Sequence, residues 1–396
     1  MDYFKIVLAF LLAGITAFAV TPLAKRFAYV IGAVDVPRDN RRMHKEPIPR
    51  AGGLAFFAGF LVAILIFGTM DRQMMTVLIG CLIIVTLGIL DDILQLPAWI
   101  KFIAEVAAAS IPVVWGGLRI EFFTNFNLVS DQRFFYLGYL SIPVTILWIV
   151  GVTNAVNMID GLDGLAAGIS TISSVSLLVV CCVTGDLYVA VVMACLAGGL
   201  MGFLPYNFNP AQIFMGDTGS NFLGFLLGSM SVLGLFKFYT VVSFGVPFLI
   251  LGLPLYDMIV VVFRRILSGR SPMSPDRGHI HHRLVDMGFN QKQAVGILYG
   301  ITLILGIIAI VLALGGAIPA LIVLFCLLVI GVIVFRIVMH PHRPAGSAPT
   351  SEIAPEAPSE EAPEEPGEPQ TPSEEAAAGA AGPQKAEKTD NMEEEP

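Results

Sequence analysis

Apolar residues in this chain run in long unbroken blocks rather than in short alternations. The blocks fall at about 3–23, 51–68, 74–90, 97–116, 138–156, 165–184, 187–206, 218–236, 241–263, 293–314 and 318–338. A bilayer core about 30 Å thick takes about 20 apolar residues per helix, because a helix rises about 1.5 Å per residue. No water is present there to satisfy a non-helical backbone. The pattern predicts an all-α polytopic membrane protein with about eleven transmembrane helices. The first block reads as a retained span, since it is long for a leader, has no small-residue cleavage site and runs into Lys25 and Arg26.

The loops between the blocks carry the second pattern. Lys25, Arg26, Arg38, Arg41, Arg42, Lys45 and Arg50 crowd the first loop, and Arg264, Arg265, Arg270, Arg277, Arg283 and Lys292 the loop before the tenth block. Basic loops stay in the cytoplasm, so the N-terminus is expected outside. The loops at 24–50, 91–96, 157–164, 207–217 and 264–292 then share the cytoplasmic side. Those loops hold nearly all the unusual polar chemistry, which predicts an active site on the cytoplasmic face.

Composition changes this picture in one place. The chain is 56% hydrophobic and 14% charged, against about 25% charged in soluble domains. The net charge of −8 comes from the C-terminus, where Pro341–Pro396 holds 14 acidic and 3 basic residues among many Pro, Ala and Ser. That segment, 341–396, has too little apolar surface to offset its ordering entropy and is expected to be a disordered cytoplasmic tail behind a membrane domain at 1–340. No basic surface calls for a nucleic acid. The five cysteines all lie in apolar blocks without a CxxC pair, so no disulfide or thiolate metal site is expected.

Asp91 and Asp92 close the third block in GILDDILQLPAWIK, with Lys101 just past the Pro97 turn. They suit either a charged interface cap or two carboxylates and an ammonium converging on one phosphate and its metal. Asn154, Asn157, Asp160 and Asp163 recur every three residues in TNAVNMIDGLDGLAAG, close to one helical face, and Gly161 and Gly164 allow close approach. Such a run at a span end needs a wet cavity. Asn209 leads into IFMGDTGSNFLG, where Asp217 is either a helix N-cap or a magnesium ligand.

Between 264 and 284, RRILSGRSPMSPDRGHIHHRL gathers Arg264, Arg265, Asp276, Arg277, His279, His281, His282 and Arg283. Zinc is disfavoured among so many arginines, whereas guanidinium forks and imidazoles suit anionic oxygens, of a substrate or of lipid headgroups. The first loop adds His44, Lys45, Arg50, Gly52 and Gly53, and Asp257 stands alone inside the ninth block.

HKEPIPRAGG, DDILQLPAWIK, NAVNMIDGLDGLAAG, FNPAQIFMGDTGS and DRGHIHHRL, in that order, resemble the polyprenyl-phosphate N-acetylhexosamine-1-phosphate transferases over roughly residues 1–340. PIPRAGG and HIHHRL look like the bacterial branch that starts teichoic acid, O-antigen and related glycans. The branch that starts peptidoglycan lipids would show a TPTMGG-like run and an HHHFE-like triplet.

The resemblance implies a multi-pass enzyme of the bacterial cytoplasmic membrane. It would move N-acetylglucosamine-1-phosphate from UDP-N-acetylglucosamine to undecaprenyl phosphate, using Mg2+ with Mn2+ able to substitute. It further implies Asp91 and Asp92 as catalytic, and Asp217 and Asn157 on the metal. Asn154, Asp160, Asp163 and Asn209 would bind the nucleotide and its uracil. Lys101, Arg265, His279, His281, His282 and Arg283 would bind phosphates or sugar, and His44, Lys45 and Arg50 the lipid phosphate. Membrane lipids and a second copy of the chain are the other expected partners. Two alternatives stay open: a UDP-muramoyl-pentapeptide substrate, and a transporter of phosphorylated anions, for which Asp257 alone suggests a midplane site.

Overall fold

The computed structural model describes residues 2–36, 47–124, 134–235, 241–271 and 278–314, with isolated helical residues between 322 and 336. The chain divides into Met1–His342 and Arg343–Pro396, and every element below belongs to the first unit. The helices are α1 (Asp2–Ile31), α2 (Gly53–Phe67), α3 (Arg72–Leu94), α4 (Ala98–Ser110), α5 (Ser141–Ile159), α6 (Leu165–Thr184), α7 (Leu187–Asn207), α8 (Gly216–Leu235), α9 (Val241–Ile250), α10 (Gly252–Leu267), α11 (Ile280–Asp286) and α12 (Gln291–Leu314). Two short antiparallel pairs complete it: β1 (Val34–Asp35) with β2 (Ile48–Pro49), and β3 (Phe122–Thr124) with β4 (Phe134–Tyr136).

Among the described residues, seven helices are long and apolar enough to cross a membrane: 3–31, 72–94, 98–115, 138–159, 165–184, 187–207 and 291–314. Large apolar side chains such as Phe4, Leu11, Ile15, Leu65, Leu147 and Ile307 point outward, as lipid contact requires. The chain is a polytopic membrane protein.

The structure departs from the eleven expected spans in physical detail. The block at 51–68 is the 15-residue α2, an apolar helix shorter than a standard span. The block at 218–236 is α8, which opens on the polar run Gly216–Asn221. The block at 241–263 is broken into α9 and α10 at Leu251. Pro254 explains the break, since it has no N–H to give Ile250 and its ring would crowd that carbonyl. Of the eleventh block only isolated helical residues are described, and the acidic tail lies outside the described residues.

The core sits where α2, α3, α5, α7 and α8 meet. Phe222 packs its ring on Phe56, Phe57 and Phe60, and Phe203 packs on Phe56. Small residues let the backbones come close, which is how membrane helices associate without a hydrophobic drive between them. Gly88 of α3 is one such residue beside the site, for its missing side chain faces the backbone of Thr218 on α8.

A backbone clasp joins the first loop to the start of α8. Phe214 N–H donates to Pro49 O (2.8 Å), and the N–H groups of Gly52 and Gly53 donate to Phe214 O and Met215 O (both 2.9 Å). Arg50 is thereby carried beside the entry to α8.

Candidate active site

Asp91 and Asp92 lie in the last turn of α3, which stops at Gln95 in a left-handed conformation (φ 53°). Neighbours on a helix point about 100° apart, and these two carboxylates diverge. Asp91 Oδ2 takes Lys101 Nζ of α4 at 2.6 Å, and its Oδ1 accepts Leu96 N–H at 2.7 Å. Lys101 Nζ also reaches Asp217 Oδ2 at 2.9 Å. Asp92 instead faces the N-terminus of α8. It accepts the N–H groups of Asp217 (2.9 Å) and Thr218 (3.1 Å) and the Thr218 hydroxyl (2.7 Å).

Asp92 therefore caps a helix far away in the sequence, where orphan N–H groups favour a carboxylate. The two neighbouring aspartates thus have different partners, Lys101 for Asp91 and the start of α8 for Asp92. Exposure separates the groups further: the side chains of Asp92 and Asp91 are 1% and 5% exposed, against 18% for Asp217 and 26% for Lys101. Asp217 and Lys101 are the pair an entering anion or cation meets. Arg50 Nε stands 3.9 Å from Asp92 Oδ1. Burial would lower its guanidinium, but the Asp92 and Asp217 carboxylates outweigh this and raise it.

Loss of the cap has a measurable cost. Asp92→Ala strands the buried N–H and hydroxyl of Thr218 and the partly buried N–H of Asp217, so about 2–4 kcal/mol of stability should be lost. Asp91→Ala leaves Lys101 paired with Asp217 and should cost less. Melting curves in detergent decide the order, and an Asp92→Ala protein as stable as Asp91→Ala would contradict the capping role.

The polar run on α5 splits, because the helix ends at Ile159. Asn154 turns to α4, where its Nδ2 donates to the buried Glu105 and to Val150 O. Asn157 Nδ2 donates to Asn221 Oδ1 of α8 at 2.7 Å. Asp160 and Asp163 fall in the turn before α6, off the helical face the spacing suggested. Asp163 Oδ2 accepts Asn209 Nδ2 (2.9 Å) and Ala211 N–H (3.0 Å), and Asn209 also donates to Gln291 Oε1 of α12 (2.8 Å). Withdrawal from water, helped by the Asp217 charge, pushes the Asp160 carboxyl up to about 7.

Asp160, Asp163 and Asn209 line a cavity of about 720 Å3, together with Lys25, Tyr29, Arg50 and His282. That volume is within the range of small-molecule sites, roughly 300–1,000 Å3. His281 is buried against Gly161, where any side chain would strike its imidazole. Burial, with His282 and His279 nearby, holds His281 well below the usual histidine range, so it is neutral. His279 is bonded to Asp257 (2.8 Å), Arg265 is buried on α10, and Arg283 is half-buried on α11. His44, Lys45, Asp276 and Arg277 lie outside the described residues.

Among the described residues no three His, Cys, Asp or Glu side chains are grouped to hold a cation. A closed zinc site is not what these groups form. Magnesium is held by one or two protein oxygens with the rest from phosphate and water, and Asp217 is a partly exposed carboxylate of the kind it uses.

Comparison with known proteins identifies the family. The glycosyl transferase family 4 pattern matches residues 74–235, which include Asp91, Lys101, Asn157 and Asp217. A probable undecaprenyl-phosphate N-acetylglucosaminyl 1-phosphate transferase of Bacillus subtilis is 42% identical over 309 residues, covering 78% of this chain and 85% of the relative. The chain belongs to the polyprenyl-phosphate N-acetylhexosamine-1-phosphate transferase family. A decaprenyl-phosphate N-acetylglucosaminephosphotransferase of Mycolicibacterium smegmatis is 32% identical over 340 residues (75% of this chain, 80% of the relative). A phospho-N-acetylmuramoyl-pentapeptide-transferase of Clostridium beijerinckii is 32% identical over 311 residues (72% and 93%).

Within this transferase several residues that bond to the candidate site escape a sequence reading. Glu105 sits one turn after Lys101 in an apolar helix, and its i, i+4 spacing was the only available signal. Asn221 stands one turn after Asp217 and looks like an ordinary polar residue of a helix start. Thr218 gives no sign that its hydroxyl and N–H both serve Asp92.

Proposed function

We propose that the protein transfers N-acetylglucosamine-1-phosphate from UDP-N-acetylglucosamine to undecaprenyl phosphate. An oxygen of the lipid phosphate attacks the sugar-linked phosphorus, the bond from that phosphorus to the bridging oxygen breaks, and UMP leaves with the bridging oxygen. The other product is undecaprenyl-pyrophosphoryl-N-acetylglucosamine, the starting lipid for teichoic acid or another envelope glycan. The observation that carries this reading is the Asp91–Lys101–Asp217 cluster, joined through Gly216 and Arg50 to the lining of a nucleotide-sized cavity. The Bacillus and Mycolicibacterium relatives, named as transferases of the same sugar phosphate, support the substrate.

The residues divide the work. Lys101, between two carboxylates, offsets charge on the transferring phosphate, and Arg50 adds a second cation from the clasped first loop. Asp91 orients the lipid phosphate through Lys101 and accepts its proton. Asp217 and Asn157 would hold Mg2+, which when bound polarises the pyrophosphate and steadies the leaving phosphate. Asp160, Asp163 and Asn209 shape the nucleotide end of the cavity, while His279, His282, Arg265 and Arg283 serve the phosphates and sugar. Basic loops 24–50 and 264–292 support a cytoplasmic site in a cytoplasmic membrane. Eleven spans, a disordered acidic tail and a homodimer belong to the same reading.

One assay tests it. Purified protein with Mg2+, radiolabelled UDP-N-acetylglucosamine and undecaprenyl phosphate should yield labelled lipid and UMP, and chelation of the metal should stop the reaction. Label appearing only from UDP-muramoyl-pentapeptide would move the enzyme to the branch of the Clostridium relative. No lipid product from any UDP-sugar would overturn the enzymatic reading.

A further inference from the structure

Asp257 is a buried carboxylate that the reaction as described leaves without a task. It stands in α10, two turns before Arg264 and Arg265, in the apolar stretch LPLYDMIVVV. A carboxylate in such surroundings needs partners that justify its desolvation.

Both of its oxygens are committed to one short segment. Oδ2 lies 2.8 Å from His279 Nδ1, and Oδ1 accepts the N–H of Ile280 at 2.9 Å. His279 is the residue before the first turn of α11, so this bond satisfies an N–H that the helix itself leaves open. Oδ1 already accepts from Ile280, and an Oδ2 that accepts as well places the hydrogen on His279 Nδ1 and leaves Nε2 on the far side of the ring.

The contacts continue outward from there. The His279 ring stacks on His281 at 5.5 Å and 14°, and His281 packs on His282 at 4.3 Å. His281 abuts Gly161, and both Gly161 and His282 line the cavity. Packed rings in fixed rotamers transmit position, so a shift at Asp257 reaches the cavity wall. The residue that alone suggested a midplane transport site is instead tied to the histidine segment.

We propose that Asp257 is a positioning residue of the transfer reaction. It holds His279 as the Nδ1–H tautomer and pins the start of α11, which sets His279 Nε2 and His282 against the phosphates of the donor. This rests on the function proposed above. Groups that orient a ligating imidazole this way are worth roughly 10–100-fold where they have been removed from metal-binding histidines, and a similar scale is expected here.

The test is a kinetic cycle on the full-length enzyme in detergent or nanodiscs, with KM for UDP-N-acetylglucosamine and kcat measured at saturating lipid phosphate. Asp257→Asn keeps the shape but points an amide N–H at His279 Nδ1. It should raise the donor KM about tenfold or more, with little change in melting temperature. Asp257→Glu, which retains the acceptor oxygens, should recover part of that loss. The double variant Asp257→Asn/His279→Gln should be no worse than His279→Gln, because the two residues act as one unit.

Losses that multiply in the double variant would overturn the proposal, as would wild-type kinetics for Asp257→Asn beside an impaired His279→Gln. A His279→Gln enzyme with wild-type kinetics would overturn it together with the phosphate role of His279. If Asp257→Asn does not accumulate in membranes, the same cycle is run with Asp257→Glu and its double variant. Absence of transfer by the unmutated protein is the separate outcome that removes the functional reading itself.

Discussion

Asp217→Ala is expected to abolish transfer, lowering kcat/KM by a factor of about 10^3 or more, or roughly 4 kcal/mol of transition-state stabilisation. Asp217 is the most exposed of the three clustered carboxylates and shares Lys101 with Asp91. Its removal takes away the open oxygens proposed for Mg2+ and leaves Lys101 drawn wholly to Asp91. The fold should persist, because Asp92 bonds to the backbone N–H of residue 217 and keeps that bond in the variant. The measurement is turnover against Mg2+ concentration, with direct Mn2+ binding followed in the same samples. An active Asp217→Ala enzyme with ordinary metal dependence would exclude this residue from the metal site.

Gly88→Val should be nearly as damaging, for a steric reason. A Cβ at residue 88 would lie 2.3 Å from Thr218 Cα and 2.5 Å from Thr218 N. Both atoms are backbone, so no rotamer change can relieve the clash, and α3 and α8 must part. Forced overpacking costs about 1–3 kcal/mol, and here it also pulls Asp92 away from the start of α8. Lower melting temperature and at least tenfold slower transfer should therefore appear together. Gly151→Ala on α5 is the matched control, since a Cβ there meets nothing within 4 Å. It should leave activity unchanged and, by helix propensity, tend to stabilise. A Gly88→Val enzyme indistinguishable from Gly151→Ala would contradict the close approach of α3 and α8.

Much of this protein is legible without coordinates, and the parts that are not share one cause. The membrane class follows from block length alone, because a bilayer imposes about 20 apolar residues per crossing wherever the helices pack. The residues of the candidate site are legible for a related reason: Asp91, Lys101, Asn157, Asp217 and the histidine segment are polar groups in or beside apolar blocks, where a polar group is costly without a partner. Spacing then misleads at element ends. Three-residue steps from Asn154 to Asp163 imply one helical face, yet α5 stops at Ile159 and the last two residues leave it. Likewise an unbroken apolar block at 241–263 hides the interruption at Leu251, since hydropathy does not register the geometry of Pro254.

The sequence by itself determined the solvent, the helical class, the family and the inventory of charged and polar groups, because these depend on composition, length and motif. Only the tertiary structure decided what each group touches. Asp91 meets Lys101 across ten residues and Asp92 meets Thr218 across 126. Adjacent aspartates are indistinguishable in sequence, but a helix turns them about 100° apart toward different neighbours. Those neighbours are set by helix packing through residues such as Gly88. Asp257 shows the same division: its charge was visible, and its partner His279 appeared only when α10 and α11 were folded together.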